Sequence, residues 1–144
     1  MKRENISVSN EVYEEMLTTA HEAYPYEVCG ILAGSGDRKM IDALYLAKNA
    51  YEGKKEFFYS IDPEELFRIE KRIMENGREV IGIYHSHPDQ PAVMSDEDEK
   101  RMIPALVYIV SSVSSDCCSG IRAYMKDDPD GEIIPITIGW AEAA

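Results

Sequence analysis

The chain has 144 residues, with 15 Lys and Arg against 27 Asp and Glu, so its formal net charge is −12. That length fits one α/β domain spanning residues 1–144, with room for a core that needs no disulfide staple. A surface this acidic repels phosphate backbones and anionic membranes, which excludes nucleic-acid and membrane partners, while 44% hydrophobic residues exclude a disordered acidic tail.

Met1–Ser7 has no apolar stretch after Lys2-Arg3, which predicts no secretory leader. The apolar run Ala105–Val110 is too short to span a bilayer. The three cysteines, Cys29 and the adjacent Cys117 and Cys118, make a poor disulfide framework. A reducing cytoplasm is the expected compartment.

Val12, Met16, Leu17 and Ala20 recur at helical spacing over Asn10–Ala23, with Ser9 or Asn10 as cap and Pro25 beyond the end. Val28–Ala33 reads as a strand, Gly34-Ser35-Gly36-Asp37 as a turn, and Lys39–Leu46 as the returning strand. Phe57-Phe58-Tyr59 predicts a further strand. Asp62-Pro63-Glu64-Glu65 starts a helix whose apolar face is Leu66, Ile69, Ile73 and Met74, closed by Asn76-Gly77. Glu79–His87 reads as a buried strand, followed by a polar loop to Met94 and a helix start at Ser95-Asp96-Glu97-Asp98. Leu106–Ser112, Ile121–Lys126 and Ile133–Ile138 complete the strands, the last two joined through Asp127–Gly131. Helices alternating with strands predict an α/β sandwich.

The chemistry concentrates in Ile83-Tyr84-His85-Ser86-His87-Pro88. On a strand, residues two apart share a face, so His85 and His87 project side by side. Imidazole nitrogens bind zinc at about 2.0–2.1 Å, and a catalytic site needs a third protein ligand and an open position for water. Asp98, after a loop long enough to fold back, is the candidate third ligand. Such a site lowers the pKa of bound water to about 7.

Glu27 stands at the mouth of the Val28 strand and is the candidate proton acceptor and donor. There burial raises its pKa and a cation lowers it. Ser95 can donate to a developing oxyanion, an effect worth about 2.7–4 kcal/mol elsewhere.

Each piece has a plainer reading. An H-x-H pair can be an ordinary strand pair, Ser95-x-x-Asp98 a helix cap, and Glu27 a surface acid. Cys29 reads as a small buried strand residue rather than a nucleophile, and Cys117 and Cys118 as incidental turn residues.

The joint arrangement is more specific. Glu27 lies upstream of His85-Ser86-His87-Pro88, then come seven residues to Ser95 and two more to Asp98. This resembles the JAMM (MPN+) metallopeptidase motif, in its compact prokaryotic branch. The resemblance implies an MPN/JAB fold, a curved mixed sheet flanked by helices and similar to cytidine deaminase. It implies one zinc ion held by His85, His87 and Asp98, with Glu27 as general acid/base and Ser95 as oxyanion donor. Where many members have Pro before the serine, Met94 stands here, which implies a different loop path with catalysis retained.

Members cleave the bond after the Gly-Gly tail of ubiquitin or ubiquitin-like proteins, so a ubiquitin-like or sulfur-carrier protein is the implied substrate. Phe57–Ser60 and Asp89–Met94 are expected to shape the groove for that tail. A homodimer is compatible with so small a domain. A non-catalytic MPN-type scaffold is the alternative, disfavoured because all five motif positions are present. A zinc deaminase would need H-x-E and P-C-x-x-C segments, which the chain lacks.

Overall fold

The computed structural model of the chain describes residues 5–35, 37, 40–116 and 118–141. Among these, the order is β1 (Asn5–Ser9), α1 (Asn10–Ala23), β2 (Cys29–Gly34), β3 (Met40–Ala47) and α2 (Pro63–Glu75). Then follow β4 (Glu79–Pro88), α3 (Asp96–Lys100), β5 (Val107–Val113), β6 (Cys118–Met125) and β7 (Ile134–Ala141). The strands lie in the order β1-β3-β2-β4-β5-β6-β7, and β1 also pairs with β7, so the curved sheet closes into a ring. The sheet is mixed: β4 runs parallel to β5 and antiparallel to β2.

Each helix starts where its local chemistry dictates. The Ser9 hydroxyl accepts the Val12 amide at 3.2 Å and caps α1. Asp62 accepts the Glu65 amide at 3.3 Å, and Pro63 opens α2 with the φ a first turn requires. Gly77, at φ +73°, lets the chain leave α2 in the left-handed region.

The two faces of the sheet carry different helices. Val12 and Met16 of α1 pack with Val8, Leu32, Ile41, Ile81, Tyr84 and Ile109. Ile69 and Ile73 of α2 pack on the opposite face with Cys29, Ile31 and Ala33, following the alternation of β2. Burying a side chain such as Ile73 is worth about 1.5–3 kcal/mol.

One irregularity in β4 decides where the functional side chains point. Leu32 and Ala33 of β2 face Gly82 and Val80, so Ile81 is an extra residue, a β-bulge. The bulge turns Ile81 into the α1 core. Ile83 then returns to the α2 face, and by alternation His85 and His87 follow it there.

Three sequence expectations change. Phe57–Tyr59 is no strand but the end of an irregular loop, because the Lys54 carbonyl accepts the Phe57 amide and the Asn49 side chain donates to the Phe58 carbonyl. Met74 is exposed, being just off the stripe set by Ile69 and Ile73. The sandwich closes into a ring through β1, a strand that the sequence did not announce. The glycine turn after β2 and the cysteine pair fall partly outside the described residues: Gly36, Lys39 and Cys117 are not described, and of Cys118 only the backbone is. Among the described residues no helix is long and apolar enough to cross a membrane.

Gly82 sits where β4 and β5 approach most closely. A Cβ there would meet the Val107 carbonyl oxygen at 1.8 Å, which is backbone and cannot swing away. Gly82→Ala is expected to destabilise the fold by about 3 kcal/mol. Urea unfolding checks this, and an unchanged midpoint would contradict the packing described.

Candidate metal centre

His85 and His87 lie in the last turn of pleat before Pro88 ends β4. Parallel β5 and antiparallel β2 flank them, with Val110 and Cys29 in register with His85. Both imidazoles are buried. Their Nε2 atoms approach to 3.1 Å. Asp98 Oδ2 lies 3.0 Å from each of them. Donor atoms on a tetrahedral zinc with bonds of about 2.0–2.1 Å stand roughly 3.3 Å apart. The three atoms therefore form a triangle of the size one face of such a site requires.

The protonation pattern supports the same reading. His87 Nδ1 lies 3.0 Å from the Pro91 carbonyl oxygen, which can only accept. That nitrogen carries the hydrogen, so the neutral ring presents a lone pair at Nε2, the tautomer of a metal-bound histidine. Burial, only partly offset by Asp98, lowers the pKa of His85 and keeps its ring neutral. Burial opposes the charge of Asp98, but the two imidazoles against it and the Ser95 amide hold its carboxyl well below the usual range. Asp98 is a carboxylate and His87 turns a ring lone pair inward, and with His85 Nε2 they form a set of atoms that a cation would satisfy.

α3 places the carboxylate. The Ser95 hydroxyl accepts the Asp98 amide at 3.0 Å, and Asp98 Oδ2 accepts the Ser95 amide at 3.1 Å. This is a complete capping box. The plainer reading of Ser95-x-x-Asp98 thus holds, and the same Oδ2 also meets both histidines. Ser95 Oγ accepts from the cap, so its own hydrogen is free to be donated.

Glu27 is buried beside this triangle, with Oε1 lacking a hydrogen-bond partner among the described residues. Glu27, His85 and His87 bring one ligand atom each to within 4.8 Å of one another. The two sets share both histidines and differ in the acid: Asp98 Oδ2 stands 3.0 Å from each Nε2, and Glu27 lies beside the same pair. Burial and then the negative charge of Asp98 push the Glu27 carboxyl up to about 9, with Arg101 opposing. Cys29, beneath His85 on β2, points its thiol at the Ala47 carbonyl, and burial pushes its pKa up to about 12. It is an inert strand residue.

A family described as prokaryotic homologues of the JAB domain matches residues 9–125, and that span includes every one of these side chains. The chain belongs to this family. A protein of Haloferax volcanii named desampylase is 32% identical over 117 residues, covering 78% of this chain and 84% of the relative. A probable TtuB-protein conjugate cleaving protease of Thermus thermophilus is 29% identical over 80 residues, and this JAB domain spans about half (49%) of it. The solution structure of a protein from Desulfitobacterium hafniense superposes with a TM-score of 0.82 at 30% identity, covering 96% of this chain and 94% of that one. A JAB1/MPN domain protein from Archaeoglobus fulgidus, at 19% identity and a TM-score of 0.56, shares the fold, with coverages of 93% and 97%.

Several residues of the JAB site escaped the sequence reading. Tyr59 stacks on His85 with centroids 4.6 Å apart, and its carbonyl accepts Arg101 Nη1 at 2.6 Å. Ser86, between the two histidines, accepts the Val28 amide at 2.9 Å through its hydroxyl. Asn49 bonds to the Glu27 carbonyl at 3.2 Å. The only local signal was for Ser86, since a polar side chain at that point of a buried strand needs a partner.

The Glu27 shift sets a pH dependence in the metal-free JAB domain. Its folded pKa lies above the ordinary 4.5, so ionisation costs the folded state and stability falls as pH rises from about 4.5 to about 9. Glu27→Gln has no such cost. In chelator, the stability advantage of Glu27→Gln over wild type is expected to grow from pH 5 to pH 8 in urea unfolding. An advantage that does not change with pH would contradict the burial argument.

Proposed function

We propose that the chain is a zinc-dependent metallopeptidase of the isopeptidase type, acting as one catalytic domain over residues 1–144. It hydrolyses the bond after the C-terminal Gly-Gly of a ubiquitin-like or sulfur-carrier protein. The observation that carries this reading is the buried triangle of His85, His87 and Asp98 with Glu27 beside it, whose Oε1 has no hydrogen-bond partner among the described residues. Relatives named desampylase and conjugate cleaving protease support the substrate class.

His85, His87 and Asp98 would hold one zinc ion per chain. Zinc in such a site supplies Lewis-acid polarisation and acidifies water. Glu27 takes the proton of the attacking water and returns it to the leaving amine. A base in this role must sit close to the metal ligands without being consumed by other hydrogen bonds, as the free Oε1 does. Ser95 donates its remaining hydroxyl hydrogen to the charge that develops on the scissile carbonyl oxygen. Tyr59, packed flat on His85, keeps bulk water from one side of the ring.

The substrate approaches over the segments that carry these groups. Tyr26, Phe57 and Val93 are about half exposed there, a small apolar rim on an otherwise acidic protein. A Gly-Gly tail has no side chains and fits between such residues as an extended strand. Because Phe57–Ser60 is a loop whose Phe58, Tyr59 and Ser60 carbonyls already hold partners, its side chains rather than a sheet edge would line the path of the tail. We place the protein in the cytoplasm, where a buried free thiol such as Cys29 persists. Its partners are the carrier protein and, as a compatible state, a second copy of itself.

The test is mass spectrometry of a ubiquitin-like carrier extended beyond Gly-Gly, before and after incubation with zinc-loaded protein. Cleavage after the second glycine is expected, with loss of activity in chelator. Glu27→Ala is expected to keep one zinc and to lose at least about 100-fold in rate. Wild-type rates in Glu27→Ala would show that the assigned proton carrier is wrong.

A further inference from the structure

We propose that Asn49 is a positioning residue for Glu27, acting through the main chain. The inference rests on the peptidase reading above, in which the Glu27 carboxyl must be aimed at the scissile bond. Glu27 lies in the link between α1 and β2, before the sheet begins. Its amide donates to the Lys55 carbonyl at 2.8 Å, and its carbonyl accepts Asn49 Nδ2 at 3.2 Å. Both of its main-chain groups therefore belong to the loop of residues 49–60, not to a strand ladder. The sheet takes hold only one residue later, where the Val28 carbonyl accepts the Ser86 amide at 3.0 Å and the Val28 amide donates to the Ser86 hydroxyl.

Asn49 organises that loop with all of its hydrogen-bonding capacity. Nδ2 donates to the Glu27 and Phe58 carbonyls, the second at 3.1 Å. Oδ1 accepts the Tyr51 amide at 3.1 Å and the Ser60 amide at 3.2 Å. Two donors and two acceptors are all that an asparagine side chain offers. The residue stands two positions after β3, so the rigid sheet is its anchor. The Ala50 amide closes the loop onto the Ser60 carbonyl at 2.9 Å, and the next residue back, Tyr59, stacks on His85. One side chain thus ties the Glu27 backbone to the loop that covers the histidines. Because Glu27 Oε1 has no hydrogen-bond partner of its own among the described residues, its aim is inherited from its backbone.

Two variants separate the donor function from loop integrity. Asn49→Ala loses all four bonds. Asn49→Asp keeps the two acceptors for Tyr51 and Ser60 and removes the donors to Glu27 and Phe58. Zinc-loaded full-length protein is assayed on the Gly-Gly-extended carrier, with zinc content and amide hydrogen exchange measured in parallel. Both variants are expected to lose about 100-fold in kcat with KM within about twofold, as a misplacement of about 1 Å would produce. Both are expected to retain one zinc, because the ligands sit on β4 and α3. The Glu27 amide is expected to exchange faster while β4 amides keep their protection. Unchanged kcat and Glu27 exchange would overturn the proposal, as would zinc loss or global unfolding in both variants, which would make Asn49 merely structural. If wild type cleaves nothing, the peptidase reading fails, and the exchange of Glu27 still decides whether Asn49 holds it.

Discussion

Three polar atoms that have no reason to approach one another meet at the end of β4. His87 Nε2 presents a lone pair, Asp98 Oδ2 carries charge, and His85 Nε2 completes a triangle with sides of 3.0–3.1 Å. In a buried setting, water cannot relieve that crowding, and desolvation makes each unpaired group expensive. A cation at the open face satisfies all three at once. The rest of the fold is arranged to hold this triangle. The bulge at Ile81 puts both histidines on one face, close contact with β5 fixes β4, and the Pro91 carbonyl sets the His87 tautomer.

The site joins a rigid half to an adjustable one. The sheet supplies both histidines, with neighbours on both sides that resist displacement. Asp98 comes from a helix of five residues that could not stand alone. Its capping box solves that problem with the same Oδ2 that faces the imidazoles. In the proposed site, helix start and ligand position would therefore be set by one atom. Glu27 belongs to neither half and is held by the loop after β3. This division suits chemistry in which the ligands stay still while the proton carrier needs accurate placement.

Much of this was legible in the residues, for local reasons. Histidines two apart on an apolar strand can only point the same way, and Asp62-Pro63 and Ser95-x-x-Asp98 announce helix starts through their own hydrogen bonds. What escaped was nonlocal. β1 has only Ile6 and Val8 as apolar residues and exists because β7, more than a hundred residues away, pairs with it. Phe57–Tyr59 has the composition of a strand, yet Asn49 and Lys54 claim its main chain. Met74 fits a helical stripe within its neighbours' spacing and still faces out, since the α2 groove is filled by Ile69 and Ile73. Asn49 gave no signal, and Tyr59 stood out only as part of an expected strand and groove segment, because a loop-bridging amide and a stacking ring depend on partners distant in the chain.

The central claim is that a metal sits against two imidazoles and a carboxylate. X-ray absorption at the zinc edge of the loaded protein reads that environment directly. Multiple scattering from two imidazoles, with nitrogen and oxygen neighbours at about 2.0–2.2 Å and no sulfur, is the expected spectrum. A sulfur shell at about 2.3 Å, or no histidine scattering, would contradict the assignment.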